Sequence, residues 1–76
     1  MSVADALVKA LWFRAGMWPQ LTLEELRQAA SATLGYKVSP STIRSTVYAY
    51  ADVFVKVSRT ELQPLRVELS PKGRAS

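Results

Sequence analysis

The sequence predicts an α+β domain in which three helices are followed by a C-terminal two-stranded β-hairpin. Two helix starts are signed by their side chains, at Thr22 and at Ser39, and beyond Val53 the apolar residues change from helical spacing to alternation. Seventy-six residues leave room for one core, so all of these elements must share it. The chain is read as one domain over residues 1–70 with a basic, flexible tail over 71–76, where proline, glycine and two bases carry no apolar residue larger than alanine.

The first helix is expected over residues 2 to about 15. Ser2 and Asp5 make an approximate capping box, Val3, Ala6, Leu7, Ala10 and Leu11 fall on one face, and Gly16 ends the run. Val8 and Trp12 point away from that face and Trp18 follows in the loop, giving the helix a second apolar side. Two readings are open: Trp12 packs under the C-terminal strands, or Val8, Trp12 and Trp18 form a dimer or partner interface.

The second helix opens at Leu21-Thr22-Leu23-Glu24-Glu25-Leu26. Thr22 can cap the unpaired backbone N–H groups, Glu25 can reach back to it, and Leu21 can staple onto Leu26. Leu23, Leu26, Ala30 and Leu34 form the inward stripe, and Gly35 supplies a left-handed C-terminal stop. After Tyr36-Lys37-Val38 a third helix starts over 40–51, with Ser39 as cap and Pro40 at its first position. Ile43, Val47 and Tyr50 should face inward, leaving Ser41, Arg44, Ser45 and Tyr48 outward. Two helices so closely joined cross steeply, as in helix-turn-helix units.

In the hairpin, Val53, Val55 and Val57 alternate with Phe54, Lys56 and Ser58, and Leu65, Val67 and Leu69 alternate with Arg66, Glu68 and Ser70. A lone hairpin is marginal in water, so the Val/Leu face is expected on the helices, with Lys56, Ser58, Arg59 and Arg66 projecting.

Composition excludes most chemistry. With 49% hydrophobic and 21% charged residues the chain is of the folded, globular kind. It has no cysteine and no histidine, which removes disulfides, thiolate zinc sites and imidazole general bases. No two of Asp5, Glu24, Glu25, Asp52, Glu61 and Glu68 are placed to cooperate across a cleft, and no glycine-rich phosphate loop is present, so the chain is read as a non-enzyme without cofactor or metal. The apolar runs are too short to span a bilayer and the first residues lack the bases of a secretory signal, so a cytoplasmic, intracellular chain with no membrane partner is expected.

The net charge of +4 lies wholly in the second half. Up to Tyr36, Lys9, Arg14 and Arg27 are balanced by Asp5, Glu24 and Glu25; beyond it, Lys37, Arg44, Lys56, Arg59, Arg66, Lys72 and Arg74 face only Asp52, Glu61 and Glu68. A positive field so placed suits a phosphate backbone, and it also suits ordinary solubilising surface charge.

Over residues 2–70 the order of elements resembles the winged helix-turn-helix superfamily. The stretch Val38-Ser39-Pro40-Ser41-Thr42-Ile43-Arg44-Ser45-Thr46-Val47-Tyr48 is similar to the recognition-helix signature of bacterial winged-helix repressors, and Phe54-Val55-Lys56-Val57-Ser58-Arg59 looks like the first wing strand of such modules. Many members carry glycine between the third helix and the wing. Here the junction is Ala51-Asp52-Val53, so Asp52 is expected to take the left-handed conformation.

The resemblance implies binding to double-stranded DNA, with helix 40–51 in the major groove and wing 53–70 on the adjacent minor groove or backbone. Ser39 and Ser41 flank a natural phosphate seat, Thr42 lies near the groove floor, Arg44 can fork onto guanine, and Ser45 and Tyr48 continue the outward face. Lys56, Arg59 and Arg66 would serve the wing, and Lys37 would add attraction from the turn. The expected role is a small transcriptional regulator, nucleoid-associated if bacterial, acting as a homodimer through Val8, Trp12 and Trp18. The alternative is a winged-helix module that binds a protein of the transcription or replication machinery, or a phage-type inhibitor of it. That alternative gains if Glu61 and Glu68 neutralise Arg59 and Arg66.

Overall fold

The computed structural model describes residues 1–57 and 62–75. Helix α1 (Val3–Ala10) is capped as the sequence implies: Ser2 Oγ accepts from the Asp5 N–H at 3.1 Å, and Asp5 accepts from the Ser2 N–H at 3.4 Å. It is shorter than expected. Leu11 is its C-cap, and residues 14–17 form a tight turn in which Arg14 and Met17 exchange backbone hydrogen bonds of 2.9 Å, with Ala15 at φ +51° and Gly16 at φ +81°. Two successive positive φ values define the turn type that closes two-residue hairpins, and this local pairing wins over the helical turn it replaces.

Strand β1 (Leu21–Thr22) was not anticipated, and it leads directly into helix α2 (Leu23–Leu34). The Thr22–Glu25 capping box closes in both directions, at 3.1 and 3.0 Å, and Gly35 takes the left-handed C-cap at φ +79°. Ser31 Oγ accepts from the Val38 N–H at 3.0 Å, which draws the connecting turn onto α2 and buries Val38. Helix α3 (Pro40–Ala49) then starts at its Ser39 cap. Ile43 and Val47 are fully buried, but Tyr50, expected on the same stripe, is 49% exposed because it is the C-cap and has left helical geometry.

Strands β2 (Phe54–Val57) and β3 (Arg66–Leu69) are antiparallel, and β3 is the middle strand of a three-stranded sheet ordered β1-β3-β2. The expected two-stranded hairpin is therefore part of a larger sheet. The faces of β2 are also reversed. Phe54 pairs with Leu69 and Lys56 with Val67 on the inner face, whereas Val55 opposite Glu68 and Val57 opposite Arg66 face out. Both parities of 53–57 carry apolar residues, and burying one phenylalanine removes more apolar surface from water than burying Val55. Asp52 keeps a negative φ, and the junction closes instead through Val53 and Phe54 N–H groups donating to the Tyr50 carbonyl.

The expected flexible tail folds back as helix α4 (Pro71–Arg74), one turn built like the start of α3. Ser70 Oγ accepts from the Gly73 N–H at 3.0 Å and donates to the Asp52 carbonyl, and the Ser70 N–H donates to the Val53 carbonyl at 2.9 Å. Gly73 is buried so closely on this junction that a Cβ would stand 2.8 Å from the Val53 carbonyl oxygen.

One core joins all of it: Leu7 and Leu11 from α1 and its cap, Leu26 from α2, Ile43 and Val47 from α3, and Phe54, Val67 and Leu69 from the sheet. Among the described residues no helix is long and apolar enough to cross a membrane.

Candidate nucleic-acid interface

Helix α3 exposes Ser41, Arg44, Ser45 and Tyr48 along one side, as its period requires once Ile43 and Val47 are buried. Arg44 lines two adjoining grooves that share Leu23 and Glu24, one completed by Pro40 and Ser41 and the other by Thr22, Pro64 and Leu65. It makes no ion pair or hydrogen bond among the described residues. Glu24 lines both grooves, but its carboxylate is taken: Arg27 donates to it at 2.9 and 2.6 Å, and Gln28 at 3.3 Å. Those hydrogen bonds, Arg27 first, hold the Glu24 carboxyl at about 2, well under the ordinary 4.5. The acid that shares this surface is thus committed to neighbours on its own helix, and the Arg44 guanidinium has no partner among the described residues.

The hydroxyls at the helix start are bound to one another. Ser39 Oγ lies 3.1 Å from Ser41 Oγ and 2.8 Å from Thr42 Oγ1 and accepts from the Thr42 N–H at 3.3 Å. Thr46 Oγ1 donates to the Thr42 carbonyl at 2.8 Å. Ser39, Ser41 and Thr42 are all exposed, as is Lys37 in the preceding turn.

The wing residues separate. Lys56 lies on the inner face of β2, and its ammonium sits 3.9 Å from the centre of the Tyr48 ring, a cation–π contact joining the strand to helix α3. Arg66 is on the outer face, opposite Thr22 and Val57, where its charge helps to lower the Glu25 carboxyl, whose main cause is the hydrogen bond from the Thr22 N–H. Lys56 and Arg66 therefore do not form the single projecting patch the alternation suggested. Arg59, and Glu61 with it, lies outside the described residues. Glu68 does not neutralise Arg66: it accepts from Gln20 Nε2 at 3.1 Å and meets Arg74 at 3.9 Å.

The other candidate surface also divides. Val8 is partly buried on the core, beside Tyr50, Val53 and Phe54. Trp12 and Trp18 meet edge-on with centroids 5.2 Å apart, Phe13 joins Trp18 at 5.6 Å, and the Arg74 guanidinium lies 5.0 Å over Trp18. Trp18 packs against the core, whereas Trp12, Phe13 and Met17 are 38, 49 and 63% exposed. Phe13 and Met17 were missed as exposed apolar residues here because the helix was expected to run on to residue 15; it stops at Leu11, and the Ala15-Gly16 turn leaves both in the exposed loop with Trp12.

The chain matches no family model, and no curated protein or solved structure shows significant similarity to it.

Proposed function

We propose that the chain is a winged helix-turn-helix module that binds double-stranded DNA, with α3 in the major groove and residues 53–70 against the flanking backbone or minor groove. The observation that carries this reading is Arg44: an exposed guanidinium on the outward side of α3, unpaired among the described residues, beside an acid that Arg27 already occupies. Ser45 and Tyr48 extend that side, Lys56 adds positive charge at the Tyr48 ring, and Lys37 is exposed in the turn before the helix. A regulatory role in the cytoplasm is the setting in which such a module acts. With extents of 31 × 29 × 25 Å, one copy covers less than one turn of about 34 Å of DNA, so a homodimer through Trp12, Phe13 and Met17 would supply the second half-site.

A protein-binding module is the second reading, favoured by the same exposed aromatic patch and by Glu24 and Glu25 standing at the edge of the α3 face. Titration of a labelled duplex against the chain at several salt concentrations separates the two. DNA binding requires an affinity that falls steeply as salt rises; a salt-independent affinity, or none at low salt, leaves the protein-binding reading.

A further inference from the structure

Resting on the DNA-binding reading, we infer that helix α3 discriminates sequence through one side chain, Arg44, so that each copy reads its half-site with low specificity and a preference for guanine. The reason lies in where the hydroxyl hydrogens of α3 go.

Phosphate oxygens, purine N7, guanine O6 and thymine O4 only accept hydrogen bonds, so a hydroxyl contributes there through its single hydrogen. Ser39 Oγ has one hydrogen and two lone pairs. One lone pair takes the Thr42 N–H, so Ser39 can hold both Ser41 and Thr42 only by donating to one and accepting from the other. Two of that trio's three hydrogens are consumed within the cap. Thr46 spends its own on the Thr42 carbonyl. What remains outward is the Ser45 hydroxyl, the Tyr48 hydroxyl and one of the Ser41–Thr42 pair, against the five N–H donors of Arg44.

Tyr48 is restricted further, because the Lys56 ammonium 3.9 Å above its ring holds the ring against the sheet. Single hydroxyls fit more than one base, and only the guanidinium fork matches one base edge in two places, guanine O6 and N7. A good bidentate pair separates right from wrong base by about five- to 150-fold. Regulators that read an operator reach about 10³- to 10⁷-fold. One reader per copy does not reach that range on a single half-site, and Lys37, exposed in the turn before α3, acts on phosphates without regard to sequence.

The test is fluorescence anisotropy of the full chain at about 50 mM salt with three duplexes of equal length, each shorter than one helical turn so that it holds a single half-site: a random-sequence pool, an A·T-only duplex, and the best binder enriched from a random library of that length. The expected result is binding to all three within about 150-fold, the enriched duplex carrying guanine. Arg44→Lys, which keeps the charge and loses the fork, should compress that range to a few-fold while leaving the salt dependence in place. Arg44 is exposed, so the variant folds, and circular dichroism checks it. An enriched duplex held more than about 10³-fold over the pool, or a range unchanged in Arg44→Lys, overturns this inference while sparing DNA binding. Failure to bind any duplex overturns both.

Discussion

Ala15 is the one residue other than glycine at positive φ among those described, +51°, in a turn whose two central positions both need that region. Alanine in the left-handed conformation costs about 1–2 kcal/mol, part of which glycine would return through the entropy of its unfolded state. Ala15→Gly should therefore stabilise by about 0.5–1 kcal/mol, read as a melting temperature higher by a few degrees. The carboxylate of Glu24 invites a second substitution. It shares a groove with Arg44 and is ionised at neutral pH, as any carboxyl titrating at or below 4.5 is, so it repels a phosphate that approaches. Glu24→Gln should tighten binding to a duplex by roughly two- to fivefold at low salt, the gain fading as salt rises; an unchanged affinity would mean that phosphates do not come near this groove.

Among the elements, those signed by local chemistry were legible: both capping boxes, the Gly35 stop and the Ser39-Pro40 start are decided within four residues of chain, and each formed. Strand β1 was not, because Leu21 and Thr22 become a strand only by pairing with Val67 and Arg66, far along the sequence. The face of β2 was misread because alternation alone gives two answers when both parities are apolar, and only packing chooses between them. Substitutions report that choice. Phe54→Ala should destabilise by about 3–5 kcal/mol and Val55→Ala by under about 0.5 kcal/mol in urea denaturation; equal effects would contradict the register. Helix α4 repeats the Ser-Pro signature of α3 at Ser70-Pro71, so its start was readable. What concealed it was a tail of proline, glycine and bases with no apolar residue larger than alanine; Gly73 is there because no side chain fits under the Val53 carbonyl. In the candidate interface, the outward side of α3 followed from its period, whereas the separation of Lys56 from Arg66 depended on the register of β2.

At the scale of the whole molecule, the ionisable groups set one expectation. The carboxyls of Glu24, Glu25 and Asp52 are lowered by hydrogen bonds from Arg27, the Thr22 N–H and Lys72 respectively. A carboxyl lowered on folding contributes stability that is fully present above its unfolded value and is lost as pH falls through its folded one. With no histidine to titrate, the melting temperature should be flat between about pH 5 and 8 and fall only below about 4.5, toward 2. A step near pH 6.5, followed by circular dichroism, would contradict that assignment of charge. The order of the sheet has a consequence of its own, in time. β3 is the middle strand yet the last to leave the ribosome, so β1 and β2, synthesised earlier, have nothing to pair with until it appears. Both ladders must then close together, and a nascent chain halted before residue 66 would carry helices α1, α2 and α3 without either ladder.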